Sequence, residues 1–371
     1  MMVIDYEVEE IQRIIEKTIE HSKLIVCMNS LIRVDIKQTE SRQITICIRY
    51  PSNYPSQHLL VECKSRFLSG KMLIGLQTLA EQKANEFLEK PQTLIVLKFI
   101  DNYMRENPLC IVYDEIGAIK SMLRPNNNKI STDENGELKC FQKSSNVSLT
   151  VNGGDYYYKA KFHIPEIYPI DSIEWTEYKS NFPITLLRFL NGQAKEISRK
   201  CVERPLRMSD NEIFIAKPSL LKTLKFIVEA TIDFHNELCP VCETKVLPAS
   251  AANVETNDTS DQYVERVYCG HIYHQGCLKR FMREPPFPPG GKLCPAKKAH
   301  PRSDHTGKDV NNKMASGSKQ KRSNQSIDDI NTCGIRISHD RWALNIKLAE
   351  ARWAQQQARE RELEEVKDFL E

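Results

Sequence analysis

Cys239-Pro-Val-Cys242, Cys269-Gly-His271-Ile-Tyr-His274-Gln-Gly-Cys277 and Cys294-Pro-Ala296 say more about the fold than any other part of this 371-residue chain. Zinc takes four thiolate or imidazole donors in a tetrahedron, and a Cys-x-x-Cys turn sets two thiolates on one ion with little strain. Cys269/His271 and His274/Cys277 span only nine residues, a loop too tight for all four to serve one ion. An interleaved arrangement relieves the crowding. Cys239, Cys242, His274 and Cys277 then hold one Zn²⁺, and Cys269, His271, Cys294 and one further donor hold a second. Both ions are structural on this reading, because full coordination leaves no open position for water.

The further donor is the break in the pattern. The Cys/His series resembles that of a RING domain, and the resemblance implies a closing Cys-Pro-x-Cys with cysteine at 297, where the chain has Lys297. If residues 297–332 are passed over, the sequence becomes Cys294-Pro-Ala-Cys333-Gly and the spacing returns. The intervening segment is rich in Lys, Asn, Ser and Asp and contains no Leu, Phe, Tyr or Trp, so it cannot build a core. We therefore read 297–332 as an insertion and Cys333 as the eighth ligand. His300 and His305 are the rival donors, and an unspliced intron is the other origin for the segment. Loop-closure entropy grows only logarithmically, so the longer loop costs about 2 kcal/mol or less. A second loop, Ala249 to Asp261, is small and polar and reads as disordered.

Upstream the chain repeats itself once. Pro51-Ser-Asn-Tyr54-Pro55 returns as Pro165-Glu-Ile-Tyr168-Pro169, each after a strand-like run (Gln43 to Tyr50; Tyr157 to Ile164) and each followed by a Lys-Ser pair, Lys64-Ser65 and Lys179-Ser180. Lys90-Pro91 with Leu97-Lys98-Phe99-Ile100 matches Lys217-Pro218 with Leu224-Lys225-Phe226-Ile227. This is a duplicated domain rather than a short-repeat solenoid. In the first copy, apolar residues from Val8 to Ile19 at helical spacing predict a helix over about 5–22. Leu24 to Ile36, Gln43 to Tyr50 and Leu59 to Cys63 read as β-rich runs, and about 72–88 and 92–106 as helices. The second copy, about 115–235, repeats the order from a weaker first helix (Glu115 to Leu123) to a closing helix, Pro218 to His235.

Helix, meander, Pro-x-x-Tyr-Pro turn and two helices resemble the RWD domain, a relative of the ubiquitin-conjugating-enzyme fold. The first copy departs from that pattern in having Leu59 where a further proline is usual. The Cys/His series resembles the cross-brace of a RING domain. Together the resemblances imply an α+β chain: RWD-like sandwiches at 1–110 and 115–236, a RING-type zinc domain at 237–338 carrying the 297–332 insertion, and a C-terminal helix at 340–371. They imply a RING-type ubiquitin ligase that docks a ubiquitin-charged conjugating enzyme through Val241, Phe281 and Pro295. Ubiquitin then passes to a lysine of a protein substrate selected by the RWD-like copies. Catalysis is by positioning, with no nucleophile on this chain. A conjugating enzyme carries His-Pro-Asn ahead of its cysteine; here that tripeptide is missing, so Cys63 and Cys201 read as core residues. Many active RING domains carry a cation directly after the eighth ligand, where this chain has Gly334, with Arg336 two residues on. The competing reading is a zinc-stabilised adaptor without ligase activity.

The remaining composition narrows the partners. The net charge of +3 belongs to 297–332, without which 44 basic residues face 45 acidic ones. No basic face interleaved with aromatics accompanies the zinc module, so nucleic acid is not an expected partner. No apolar run approaches the roughly 18 residues of a membrane span, and the acidic start, Met1-Met-Val-Ile-Asp5, is unlike a secretory signal. A cytoplasmic or nuclear protein with reduced thiols is expected. Cys27, Cys47, Cys63, Cys110, Cys140 and Cys201 then read as small buried hydrophobes. In the tail, Trp342, Ile346, Ala349 and Trp353 form a stripe that Gln356 and Glu360 interrupt, which argues against a long coiled coil. A helix packed by its tryptophan end is expected, with a partner-binding or dimerising helix as the alternative.

Overall fold

The computed structural model describes residues 2–124, 135–205, 208, 212–288, 291–297, 333, 335–337 and 343–370. Nearly all of the segment 297–332, with His300 and His305, lies outside the described residues, as do Gly334 and Trp342. The architecture is α+β, with helices and antiparallel sheets.

The first helix, α1 (Met2–Thr18), buries Ile11 and Ile15, four residues apart on one face. It stops short of the expected residue 22 because β1 already begins at Ser22, just after His21 at a left-handed φ of 61°. Strands β1 (Ser22–Met28), β2 (Leu31–Lys37), β3 (Gln43–Arg49) and β4 (Leu60–Lys64) form an antiparallel sheet in that order. The run Leu24 to Ile36, read as one β-rich stretch, is in fact two strands. Asn29 and Ser30 form the turn, which brings Met28 opposite Leu31. In β2, Ile32, Val34 and Ile36 face inward with polar residues between them, the period-2 pattern of a sheet with one buried face.

Helices α2 (Gly70–Asn85) and α3 (Thr93–Glu106) complete the core with Met72, Leu76, Ala80, Val96 and Ile100. Ser69 caps α2 by accepting from the Met72 N–H at 3.2 Å.

The second copy runs α4 (Tyr113–Leu123), β5 (Gly136–Phe141), β6 (Asn146–Gly153), β7 (Tyr156–His163), β8 (Glu174–Ser180), α5 (Ile184–Val202) and α6 (Leu220–Phe234). Its sheet repeats the order β5-β6-β7-β8. After it come the short hairpin β9 (Val264–Arg266) and β10 (Ile272–His274), then α7 (Gln275–Arg283) and α8 (Ala343–Leu370). Among the described residues no helix is long and apolar enough to cross a membrane.

The repeated tyrosine has a physical purpose in both copies. The Tyr54 hydroxyl donates to the Glu7 carboxylate and accepts from the Gln92 N–H at 3.0 Å, while Glu7 accepts from the Thr93 N–H at 3.0 Å. The Tyr168 hydroxyl donates to Glu115 at 2.7 Å and accepts from the N–H groups of Ser219 and Leu220 at 2.8 and 3.1 Å. Glu115 also accepts from the Leu221 N–H at 2.8 Å. A helix start leaves N–H groups without intrahelical partners. In each copy a tyrosine from the turn and a glutamate from the first helix jointly satisfy those of the closing helix. Both Tyr-Pro peptide bonds are cis.

The scattered thiols are free. Cys47, Cys63, Cys110 and Cys201 are buried, while Cys27 and Cys140 are half-buried. Burial pushes the Cys63 thiol up to about 12, the opposite of an activated nucleophile.

The chain forms two compact units. One comprises Met1–Asn152, Tyr157–Ser180 and Leu190–Ala230; the other comprises Gly153–Tyr156, Asn181–Phe189 and Thr231–Glu371. The whole Cys/His region belongs to the second, together with the β6–β7 turn and the start of α5.

Candidate metal centre

Local backbone geometry places each donor. At the first knuckle, the Cys239 N–H donates to Thr244 O and the Glu243 N–H to Cys239 O, both at 2.8 Å. Glu243 takes a φ of 57° to close the turn. Cys269 sits at the turn of the β9–β10 hairpin, where the Gly270 N–H donates to Val267 O at 2.8 Å with φ at 91°. His274 is the last residue of β10 and the N-cap of α7, so it and Cys277 face one another across the first helical turn. Gly276 between them is obligatory: a Cβ there would lie 2.6 Å from the side chain of Asp261.

Two donor groups result, each with its atoms within 4.8 Å of one another: Cys239, Cys242, His274 and Cys277, and Cys269, His271 and Cys294. His274 Nδ1 lies 3.4 Å from Cys242 Sγ and 3.9 Å from Cys277 Sγ, and His271 Nδ1 lies 3.4 Å from Cys294 Sγ. The pairs therefore alternate along the chain between the two groups, in the interleaved order that loop crowding suggested.

Backbone pairing brings Cys333 to the strand beside Cys294, but its Sγ is not among the donor atoms that lie within 4.8 Å of one another. Its N–H donates to Ala296 O at 2.7 Å, the Cys294 N–H donates to Ile335 O at 2.9 Å, and the Ile337 N–H donates to Lys292 O at 2.9 Å. Leu293 bridges Arg336 in the same antiparallel ladder. The residues on either side of 297–332 thus form one hairpin stem, in which Cys333 is buried. Lys297 at the stem's exit reaches Glu243 of the first knuckle at 3.6 Å.

The donor chemistry fits a soft or borderline cation. In each group the thiols split. Burial works against Cys242, but the Thr244 hydroxyl and N–H and the His274 ring outweigh it and hold the thiol below its ordinary value. Burial and the negative charge of Cys239 push Cys277 up to about 12. The hydrogen bond between Cys294 and Cys269 lowers the second and, with burial, raises the first to about 12. Thiols this close cannot all ionise without a cation among them, and thiolate–imidazole sets of this kind take zinc-like metals.

Three contacts had no sequence signal. Tyr273, fully buried, places its hydroxyl 3.0 Å from Cys294 Sγ and 3.9 Å from Cys269 Sγ; in sequence it is one more apolar residue in a strand. Lys292 is buried, and its ammonium donates to Phe281 O and Glu284 O at the end of α7. It lies 4.8 and 5.1 Å from the rings of Phe281 and Phe287. Asp155, from the β6–β7 turn, accepts from the Ala251 N–H at 2.7 Å and the Ser250 hydroxyl at 3.0 Å. Gly153, the last residue of β6, lets the α6 backbone approach closely, since a Cβ there would meet Thr231 O at 2.2 Å.

The 249–261 loop, expected to be disordered, is a set of hydrogen-bonded turns. Gln275 donates to Asp258 O at 2.6 Å, and the Gly276 N–H donates to Asp261 O at 2.9 Å. Its polar composition serves backbone partners that only the fold supplies.

The three residues assigned to a conjugating-enzyme face, Val241, Phe281 and Pro295, are each half-buried. Phe281 lines a hollow of about 210 Å³ with Pro285, Pro286, Pro288 and Lys292. The tail helix packs on this region through Trp353, whose ring lies 5.7 Å from Phe287 in an edge-on contact. Ile346 and Ala349, on the same stripe, are half-buried, while Leu344, Leu348 and Leu363 are exposed. No protein-family model matches the chain, and a search of curated proteins finds no match.

Proposed function

We propose that this protein is a RING-type ubiquitin ligase whose zinc module presents Val241, Phe281 and Pro295 to a ubiquitin-charged conjugating enzyme. The alternation of the donor pairs between two groups carries the reading. It is the connectivity of a cross-brace, and consecutive zinc fingers would not produce it. Cys239, Cys242, His274 and Cys277 would hold one Zn²⁺, and Cys269, His271, Cys294 and Cys333 the other. The ions contribute folding free energy and fix the loops that bear the contact residues.

The chain's own residues then act by placement. Lys292 ties the carbonyl end of α7 to the start of the 292–337 stem, which fixes Phe281 on one side of the contact face. Val241 belongs to the first knuckle and Pro295 to the 292–337 stem. Held against them, the conjugating enzyme's thioester is open to a substrate lysine, and bringing the reactants together is the catalytic contribution. The two sheet-and-helix copies are RWD-like and would bind substrate or partner. The cytoplasm or nucleus is the compartment in which ubiquitin, conjugating enzymes and reduced thiols coexist.

A second reading, a zinc-stabilised adaptor, draws on Gly334, the residue after Cys333, where many active ligases carry a cation. One experiment separates them: ubiquitin-chain formation by the purified chain with activating enzyme, a panel of conjugating enzymes and ATP, beside Cys239→Ala/Cys242→Ala and Val241→Ala. The ligase reading predicts chains that both variants lose. Silence across the panel from protein holding two zincs per chain sinks it in favour of the adaptor.

A further inference from the structure

The two copies are an internal comparison. Aligned on the Pro-x-x-Tyr-Pro turns, β3 matches β7; aligned on the Lys-Ser pairs, β4 matches β8. In the first copy, the cross-strand pairs at these positions are Thr45 opposite Lys64 and Cys47, which is buried, opposite Glu62. In the second, the matching pairs are Lys159 opposite Lys179 and Lys161 opposite Glu177. Tyr158, Ala160 and Phe162 point into the core, so Lys159 and Lys161 share the outer face.

The first face is internally neutralised. Lys64 meets Glu62 at 2.9 Å, Arg49 meets Glu62 at 4.0 Å, and the Thr45 hydroxyl donates to Asp35 at 2.7 Å. The second face is neutralised on β5, where Lys139 meets Glu137 at 3.0 Å, but not along β7 and β8. Like charges directly opposite one another destabilise a strand pair, yet Lys159 and Lys179 are opposed and exposed, and neither forms an ion pair among the described residues. The Lys161 ammonium lies 5.9 Å over the ring of Phe141, which is 46% exposed. These residues and Ser148 border a hollow of about 220 Å³.

We propose that the outer face of the β5–β8 sheet docks an extended acidic peptide segment of a protein partner. Its carboxylates meet Lys159, Lys161 and Lys179, and an apolar side chain lies on Phe141. Lys159 and Lys161 are two residues apart on one strand, about 7 Å, the same repeat as alternate side chains of an extended peptide. Glu177, in the middle of the face, tolerates a mixed peptide but opposes an unbroken line of phosphates. The proposal stands whether or not the zinc module transfers ubiquitin.

The test is fluorescence anisotropy of a dye-labelled peptide, Glu-Leu-Glu-Ser-Glu-Phe-Glu, with the full chain and with a Lys159→Ser/Lys179→Ser variant. A Lys37→Ser/Lys64→Ser variant on the first sheet is the control, and an oligothymidine of equal charge is the competing probe. The variant should bind the peptide at least tenfold more weakly, with its urea midpoint unchanged or raised. The control should bind within twofold of wild type, and added salt should weaken binding. Equal weakening in the control, undiminished binding by the variant, a lowered urea midpoint, or tighter oligothymidine binding through the same lysines would each overturn the proposal.

Discussion

Tyr168→Phe is the substitution that bears most directly on why the chain repeats its Pro-x-x-Tyr-Pro turn. The side chain is 1% exposed, and the change removes a single oxygen that serves three partners: Glu115, the Ser219 N–H and the Leu220 N–H. Phenylalanine fills the same space, so the cost is one of lost hydrogen bonds and not of a cavity. A buried donor left unsatisfied costs about 1–3 kcal/mol. With two N–H groups orphaned at the start of α6, we expect a loss of about 3 kcal/mol, allowing for partial rescue by water. At roughly 2 kcal/mol per molar urea, the midpoint falls by about 1.5 M. Tyr54→Phe orphans only the Gln92 N–H, because Glu7 serves Thr93, so its loss should be about half as large. Tyr178→Phe, at an exposed site, should change stability by about 0.5 kcal/mol or less. Urea unfolding followed by Trp175 fluorescence reports the second copy, since that ring packs edge-on against Phe162 at 5.2 Å. A loss below about 1 kcal/mol for Tyr168→Phe would refute the claim that the repeated tyrosine acts as a cap for the closing helix.

The same cap predicts a pH dependence. Burial holds the Glu115 carboxyl above the usual carboxylate range, against the opposing effects of the Leu221 N–H and the Tyr168 hydroxyl. A raised folded-state value means that its contribution is full below the unfolded value of about 4.3 and is lost as pH rises through the folded one. Wild type should therefore lose stability relative to Glu115→Gln as pH rises from about 4.3, which parallel thermal melts will read; the opposite slope contradicts it. Tyr273→Phe removes the hydroxyl beside Cys294 and Cys269; zinc affinity at that group should fall about tenfold, with the Cys239 group unchanged, by competition with a chromogenic chelator. Equal affinity would make the hydroxyl a bystander. Asp155→Ala should speed amide hydrogen exchange at Ala251, whose N–H loses its acceptor, and unchanged protection there would count against the contact.

How much of this was legible in the sequence differs from element to element. The seven donors from Cys239 to Cys294 and their alternation were readable because metal ligation demands particular residue types at spacings the chain cannot vary. The duplication was readable because each copy needs the same tyrosine at the same turn. The division of Leu24 to Ile36 into β1 and β2 was missed: Asn29 and Ser30 are turn-forming residues, but with only two of them the apolar run on either side looks continuous. Loop 249–261 was read as disordered from its composition, yet its order comes from Gln275 and Asp155, residues remote in sequence. Lys292 and Tyr273 carried no signal for a related reason: a lysine buried against two carbonyls and a tyrosine facing two thiols depend on neighbours that only tertiary structure brings together. Cys333 lies between these cases. Spacing suggested it only once 36 residues were set aside; the backbone ladder from Lys292 to Ile337 sets it beside Cys294, while its thiol stays outside the three-donor group.

Native mass spectrometry of zinc stoichiometry, on the full chain, on Cys333→Ser and on a chain lacking 297–332, counts the ions that a cross-brace holds. A cross-brace completed by Cys333 gives two zincs in wild type, two in the deletion, and loss or marked weakening of one in Cys333→Ser while the Cys239 group keeps its metal. Two tightly held zincs in Cys333→Ser, or loss of one on deleting the segment that contains His300 and His305, would contradict it.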